Sequence, residues 1–239
     1  MIQLENVTKT FGQTIAVNDL NLTIPDGAIT GFIGPNGAGK TTTIHMLTGV
    51  LEPDAGTILL NGINIAQKPL EAKRQFGLVP DSPDLLLRLT GIEYVNFMAD
   101  IYQVDPAVRE SRIQALAKEF EMSDALGKRM ADYSHGMRQK AIIMGALVSD
   151  PSIWILDEPM TGLDPASSFH LKEKMKEHAA RGRSVFFSTH VLEVAEALCD
   201  YICIINHGTI CYTGTLDELK SQYPGETLET IFLKVTNYA

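Results

Sequence analysis

Apolar and polar positions alternate with a two-residue period over Ile2 to Val7 and again over Ile15 to Ile24, with a turn at Phe11-Gly12-Gln13 between them. That period predicts two strands. Ile29 to Ile33 is a compact apolar run that predicts a buried strand feeding a glycine-rich loop, with a helix expected from about Gly39 to Thr48. From about Pro83 to Ser149 the pattern turns helical, with little strand signal. Asp105 followed by Pro106 reads as a helix start, an N-cap and then proline in the first turn. Val108, Ile113, Leu116, Ala117 and Phe120 supply that helix with an apolar face. Short apolar strands resume at Ile153–Leu156, Ser184–Ser188 and Tyr201–Ile205, with helices near 165–180 and 190–199. Strands alternating with helices predict an α/β fold with a mainly parallel sheet. The expected organisation is a single domain: a core at 1–82 and 150–215, a helical insertion at 83–149 and a short helical tail at 216–239.

Composition narrows the function classes. A chain of 239 residues can bury one large core, and 45% apolar with 21% charged residues is ordinary for a globular protein. No apolar run approaches the roughly 20 residues of a membrane span. Met1 to Glu5 has neither the basic nor the apolar segment of a signal peptide, so the chain is expected in the cytosol unless a partner brings it to a membrane. A net charge of −9 argues against a broad nucleic-acid surface and predicts no nucleic-acid partner. Cys199, Cys203 and Cys211 lack Cys-x-x-Cys spacing and read as packed, reduced thiols.

Chemistry enters with Gly34-Pro35-Asn36-Gly37-Ala38-Gly39-Lys40-Thr41, followed by Thr42. It fits G-x-x-x-x-G-K-[ST] and lies between a predicted strand and a predicted helix, the context this motif requires. Glycines let backbone N–H groups approach phosphate oxygens, and the helix start adds a dipole favourable to anions. Lys40 would reach the β- and γ-phosphates of a nucleotide, and the Thr41 hydroxyl would bind Mg²⁺. The second element is the strand Ile153–Leu156 ending in Asp157 and Glu158. At such a strand edge Asp157 can hold the Mg²⁺ shell while Glu158 faces the attacking water. Together the two elements define a P-loop NTPase.

The next segments narrow that class. Tyr133-Ser134-His135-Gly136-Met137-Arg138-Gln139 resembles the signature of ABC ATPases, usually LSGGQ. Thr161-Gly162-Leu163-Asp164 resembles their D-loop, and Ser188-Thr189-His190 their switch histidine. All the elements occur in family order along essentially the whole chain. The resemblance implies the ABC ATPase fold, with an N-terminal antiparallel β portion and an inserted helical subdomain. It implies two subunits packed head to tail around two ATP molecules, a homodimer being favoured. Ser134 and Gly136 would then meet the γ-phosphate held by the other subunit's Lys40, and His190 would orient the water. Asp164 would link the two sites, and Phe11 would stack on adenine. A separate transmembrane permease would be the driven partner, placing the chain on the cytoplasmic face of the membrane.

Three positions depart from the family pattern. His135 stands where glycine is common and Met137 where glutamine is common, as in exporter branches. Asp81 stands where the family places a glutamine that touches Mg²⁺ and couples to the permease; aspartate is shorter and charged, which favours a water-bridged contact. The ending Leu228 to Leu233 also resembles short exporter-branch ATPases. A soluble ABC ATPase that remodels a cytosolic assembly would use the same chemistry, and these residues leave it open. A kinase or GTPase fails on the signature and on the missing Asn-Lys-x-Asp motif. His45, His170, His178 and His207 fit no ligand spacing, Lys172 to Glu177 reads as a solvated helix face, and Met122, Met130, Met144 and Met160 read as packing residues.

Overall fold

The computed structural model describes residues 1–82, 84 and 86–236, so the expected boundaries at 83 and 239 lie outside the described residues. Two sheets enclose the first helix. Strand β1 (Ile2–Phe11) pairs antiparallel with β2 (Thr14–Ile24) on one side. On its other side it pairs with β4 (Ala55–Leu60), which continues through Asn61-Gly62 into the short β5 (Ile63–Asn64). Between these come β3 (Ile29–Ile33) and α1 (Lys40–Leu47). Helix α2 (Pro69–Lys73) then leads to β6 (Phe76–Val79).

Next come α3 (Gly91–Ile101), α4 (Pro106–Glu119) and α5 (His135–Leu147). The chain returns through β7 (Ile153–Leu156), α6 (Pro165–Ala180), β8 (Ser184–Thr189), α7 (Leu192–Leu198) and β9 (Tyr201–Asn206). It closes with β10 (Thr209–Thr215), α8 (Leu216–Gln222) and α9 (Leu228–Val235). The second sheet has the order β10-β9-β3-β8-β7-β6, parallel throughout except for the β9–β10 hairpin.

The parallel strands β3 and β7 at the heart of the second sheet are covered on both faces, so they are continuous apolar runs without alternation, whereas the edge strand β10 alternates. Ile153 and Ile155 of β7 point into the layer shared with α1 and the first sheet, while Trp154 and Leu156 point toward α5 and α6. Three expectations are corrected. Val108 is exposed, because it sits five residues before Ile113; the true apolar row is Ile113, Leu116, Ala117 and Phe120, at helical spacing. Cys211 is also exposed, on the outward side of β10, whereas Cys199 and Cys203 are packed. Lys174 is not part of a solvated face: its ammonium joins α6 to Glu119 of α4 at 2.8 Å.

His178 of α6 is buried beside Trp154, ring centroids 5.7 Å apart, with its Nε2 lacking a hydrogen-bond partner. Burial first, then nearby cations led by Arg183, push its pKa down to about 4 from an ordinary 6.5. The folded state therefore refuses a proton that the unfolded chain accepts. His178 costs stability progressively as pH falls from 6.5 to about 4, and nothing above that window. Replacing His178 with leucine is expected to flatten the pH dependence of the thermal midpoint across that interval, as scanning calorimetry would measure.

Candidate active site

Four adjacent parallel strands end at one edge, and each delivers one part of the site. The phosphate loop follows β3, Asp81 follows β6, Asp157 and Glu158 follow β7, and His190 follows β8. Ligands of open α/β sheets bind outside such carboxyl ends. A cleft of about 400 Å³ opens there, lined by Pro35, Asn36, Gly37, Gly39, Lys40, Thr41, Thr42, Asp81, Glu158 and His190 together with Ala16 and Thr161.

The loop's shape is built into its glycines. Gly39 takes φ of +106°, and a side chain there would drive a Cβ to 2.6 Å from the Ala16 carbonyl oxygen. Only glycine fits, and α1 can begin without a side-chain cap, leaving its first N–H groups directed at the cleft. Ala38 is buried beneath the loop, its N–H bonded to the Pro35 carbonyl at 3.1 Å. Lys40 is only 7% exposed; its ammonium donates to the Gly34 carbonyl at 2.7 Å and to the Pro35 carbonyl at 3.2 Å. Burial lowers its pKa, against the pull of Glu158 and Asp157. The cation is thus held on the loop's own carbonyls, with Glu158 Oε1 4.0 Å away.

Glu158 is held in a costly backbone conformation, φ of +46°, uncommon for a residue with a side chain. Its Oε2 lies 3.0 Å from His190 Nδ1, so a carboxylate and an imidazole share the cleft mouth as base and orienting group do. Asp157 is buried, and desolvation raises its pKa against hydrogen bonds from Ser188 and Thr41. Ser188 is a site residue whose role the sequence does not disclose. Its hydroxyl donates to Asp157 Oδ1 and accepts the Glu158 N–H at 3.0 Å, tying the end of β8 to the Asp157 carboxylate and the Glu158 backbone just after β7.

The remaining residues lie apart from this cleft. Ser134 caps α5, its hydroxyl accepting the Met137 N–H at 3.3 Å, and Gly136 lies in the same first turn. Asp164 caps α6, accepting the Ser167 N–H at 2.9 Å; the Ser167 hydroxyl first, then that N–H, holds its pKa down to about 2. Phe11 is 51% exposed at the β1–β2 turn, with the Lys9 ammonium 5.8 Å from its ring centroid.

The sequence pattern of a known family, described as ABC transporter, matches residues 17–161, which include the phosphate loop, the signature turn and both carboxylates. The chain belongs to the ABC transporter family. Among curated ABC proteins it is 36% identical to the ABC-type transporter ATP-binding protein EcsA of Bacillus subtilis, over 99% of this chain and 96% of that one. It is 32% identical to the linearmycin resistance ATP-binding protein LnrL of the same organism, over 100% of this chain and 77% of that protein. A solved structure of an ATP-binding subunit of an ABC transporter matches with a TM-score of 0.94 and 34% identity, over 99% of both chains. A dimeric structure of a bacterial ABC transporter cassette matches with a TM-score of 0.82 and 25% identity, over 90% of this chain and 99% of that one. The chain is therefore an ATP-binding ABC subunit with ATPase activity.

Proposed function

We propose that two copies of this chain close head to tail on two ATP molecules, hydrolyse them, and pass the movement to a separate membrane permease that exports its cargo. The observation carrying this reading is that the chain holds half of a hydrolysis site. Lys40, Glu158 and His190 share one cleft, whereas Ser134 and Gly136 stand at an exposed helix N-terminus outside it. A helix N-terminus with a hydroxyl and open N–H groups suits an anion arriving from another subunit. Within the cleft, Lys40 would leave the loop carbonyls for the β- and γ-phosphates, Glu158 would take the water's proton, and His190 would hold Glu158 and the γ-phosphate in register. Phe11 would offer its exposed face to adenine, and Asp164 would link the two sites.

The donor set also fits Mg²⁺. The Thr41 hydroxyl and the Asp157 carboxylate are hydrogen-bond neighbours, and the charge of Asp81 is felt at Asp157. Hard oxygen donors of this kind suit a small divalent cation. Thr41 and Asp157 would hold it, with Asp81 behind a water; when bound, it neutralises charge on the phosphate oxygens.

The permease contact has its own place. An apolar groove of about 590 Å³ runs between the α2–β6 segment and α3, lined by Leu70, Phe76, Leu86, Met98 and Ile101. Leu70 is 75% exposed and Ile101 53%, a density of open apolar surface that fits an amphipathic helix from a partner. Asp81, just after β6, lines the cleft, while Phe76, Leu78 and Pro80 of the same segment line the groove. Among the described residues no helix is long and apolar enough to cross a membrane, which fits a peripheral place on the cytoplasmic face. The resistance ATPase LnrL supports export.

Affinity co-purification of the tagged chain from gently solubilised native membranes tests the reading. A multi-span membrane protein in near-stoichiometric amount is expected, and Ile101→Glu should abolish its recovery while ATPase activity persists. Recovery from soluble fractions with soluble partners alone would favour the assembly-remodelling reading instead.

A further inference from the structure

We propose that His135 is a positioning residue that ties the signature turn to the loop following Glu158 within one chain, so that nucleotide engaged at Ser134 is felt at that chain's own Glu158. The inference rests on the head-to-tail dimer proposed above, in which Ser134 faces one ATP and Glu158 of the same chain faces the other.

The contact is a close steric fit. Gly162 has φ of +75°, and a Cβ added there would lie 2.1 Å from His135 Cδ2 and 2.6 Å from its Nε2. The imidazole therefore occupies the volume a side chain at position 162 would take. Gly136, the next residue, is almost as close, a Cβ there falling 3.0 Å from the Gly162 carbonyl oxygen. Both residues are exposed, so the ring lies against Gly162 on one side and faces solvent on the other.

The other links between α5 and this loop are weaker. Gln139 Nε2 reaches the Pro159 carbonyl only at 3.5 Å, the limit for a hydrogen bond. Lys140 Nζ stands 3.9 Å from Asp164 Oδ2, whose side chain is 56% exposed, and such pairs are worth little. The His135 ring and the Gly136 backbone are the parts of α5 that lie against Gly162 itself.

Its two ends are well chosen for a relay. His135 is the first residue of α5, directly after the capping Ser134, so any shift of Ser134 toward a phosphate moves the imidazole with it. At the other end the loop begins at Glu158, whose backbone sits at φ of +46°, and Thr161 N–H bonds back to the Glu158 carbonyl at 3.2 Å. A residue in a costly conformation is held there by its surroundings, so the contacts of its loop help set its orientation. With glycine at 135 the same fold would form, and the ring's contact would be missing.

The test combines two variants with two readouts. In a Glu158→Gln background, His135→Gly is expected to leave ATP-dependent dimerisation intact by size-exclusion chromatography with light scattering. In the otherwise native chain, His135→Gly is expected to lower kcat about tenfold and bring the Hill coefficient for ATP from near 2 to near 1, a loss of coupling within the usual range. His135→Phe, which keeps a ring over Gly162, is expected to retain most of both. Unchanged kcat and Hill coefficient in His135→Gly would overturn the proposal, as would His135→Phe behaving like His135→Gly. Loss of dimerisation in His135→Gly/Glu158→Gln would also overturn it, placing His135 in the subunit interface. If Glu158→Gln alone fails to dimerise on ATP, the head-to-tail reading falls first and this one with it.

Discussion

Replacing Glu158 with glutamine is expected to slow ATP turnover by about 10²–10⁴-fold, the range a positioned general base contributes. The substitution keeps the shape and the backbone geometry at φ of +46°, and it keeps an oxygen for the contact with His190 at 3.0 Å. It removes the carboxylate's charge and with it the ability to accept a proton. Binding of ATP, which the proposed site rests on the loop amides and Lys40, should be unchanged, and on the proposed head-to-tail closure the variant is expected to accumulate as an ATP-bound dimer. Steady-state phosphate release and equilibrium nucleotide binding on the same preparation measure both halves. Turnover within a factor of a few of the native chain would remove Glu158 from the role of base and turn attention to His190.

Lys40→Ala should act at the other step. In the free chain the ammonium rests on the carbonyls of Gly34 and Pro35, in a pocket that leaves it 7% exposed. Removing it leaves those carbonyls without their donor and the incoming phosphates without their buried cation. Hydrogen bonds to charged groups are worth about 1.5–3 kcal/mol each, so losing two or more should weaken ATP binding by about 10²-fold or more. Hydrolysis would fall with it at ordinary ATP concentrations. Isothermal titration with a non-hydrolysable ATP analogue reads the affinity. Lys40→Arg should not restore it, because a planar guanidinium does not fit a cradle shaped for a point charge. Native-like affinity in Lys40→Ala would mean that the loop amides alone carry the phosphates.

These contrasting phenotypes follow from residues that stand out along the chain by their type and spacing alone. The phosphate loop, Asp157, Glu158 and His190 each sit at the end of a short apolar strand, and β3 and β7 occupy the predicted spans, Ile29–Ile33 and Ile153–Leu156. A short run of apolar residues covered on both faces is the mark of a parallel strand, because every side chain of such a strand is buried. Helix α6 is equally legible, opened by Asp164 and Pro165 and ending at Ala180.

Two hairpins carry a clear turn signal between faint strands. The strands β4 and β5 flank Asn61-Gly62, both with positive φ, the strongest short hairpin signal there is. His207-Gly208 makes the same turn between β9 and β10. Both hairpins are hard to read because their strands are short or half exposed, so their periodicity is faint. The pattern over Val108 misleads for the opposite reason: an apolar residue in a helix counts toward a face that its spacing denies it.

By itself the sequence determined the class of chemistry, since a glycine-rich loop, paired carboxylates and a terminal histidine are local patterns whose function lies in residue type and spacing. It determined the family for the same reason, through several such patterns in a set order. Only the tertiary structure decided which of those residues meet. Strand order is set by packing between segments distant in the chain, and it is the placing of β3 beside β8, and β8 beside β7, that brings His190 to Glu158 and Ser188 to Asp157. The same long-range packing placed Ser134 outside the cleft and laid His135 on Gly162. No local pattern can specify such contacts, because they are fixed by how whole faces of helices and sheets bury their apolar surface.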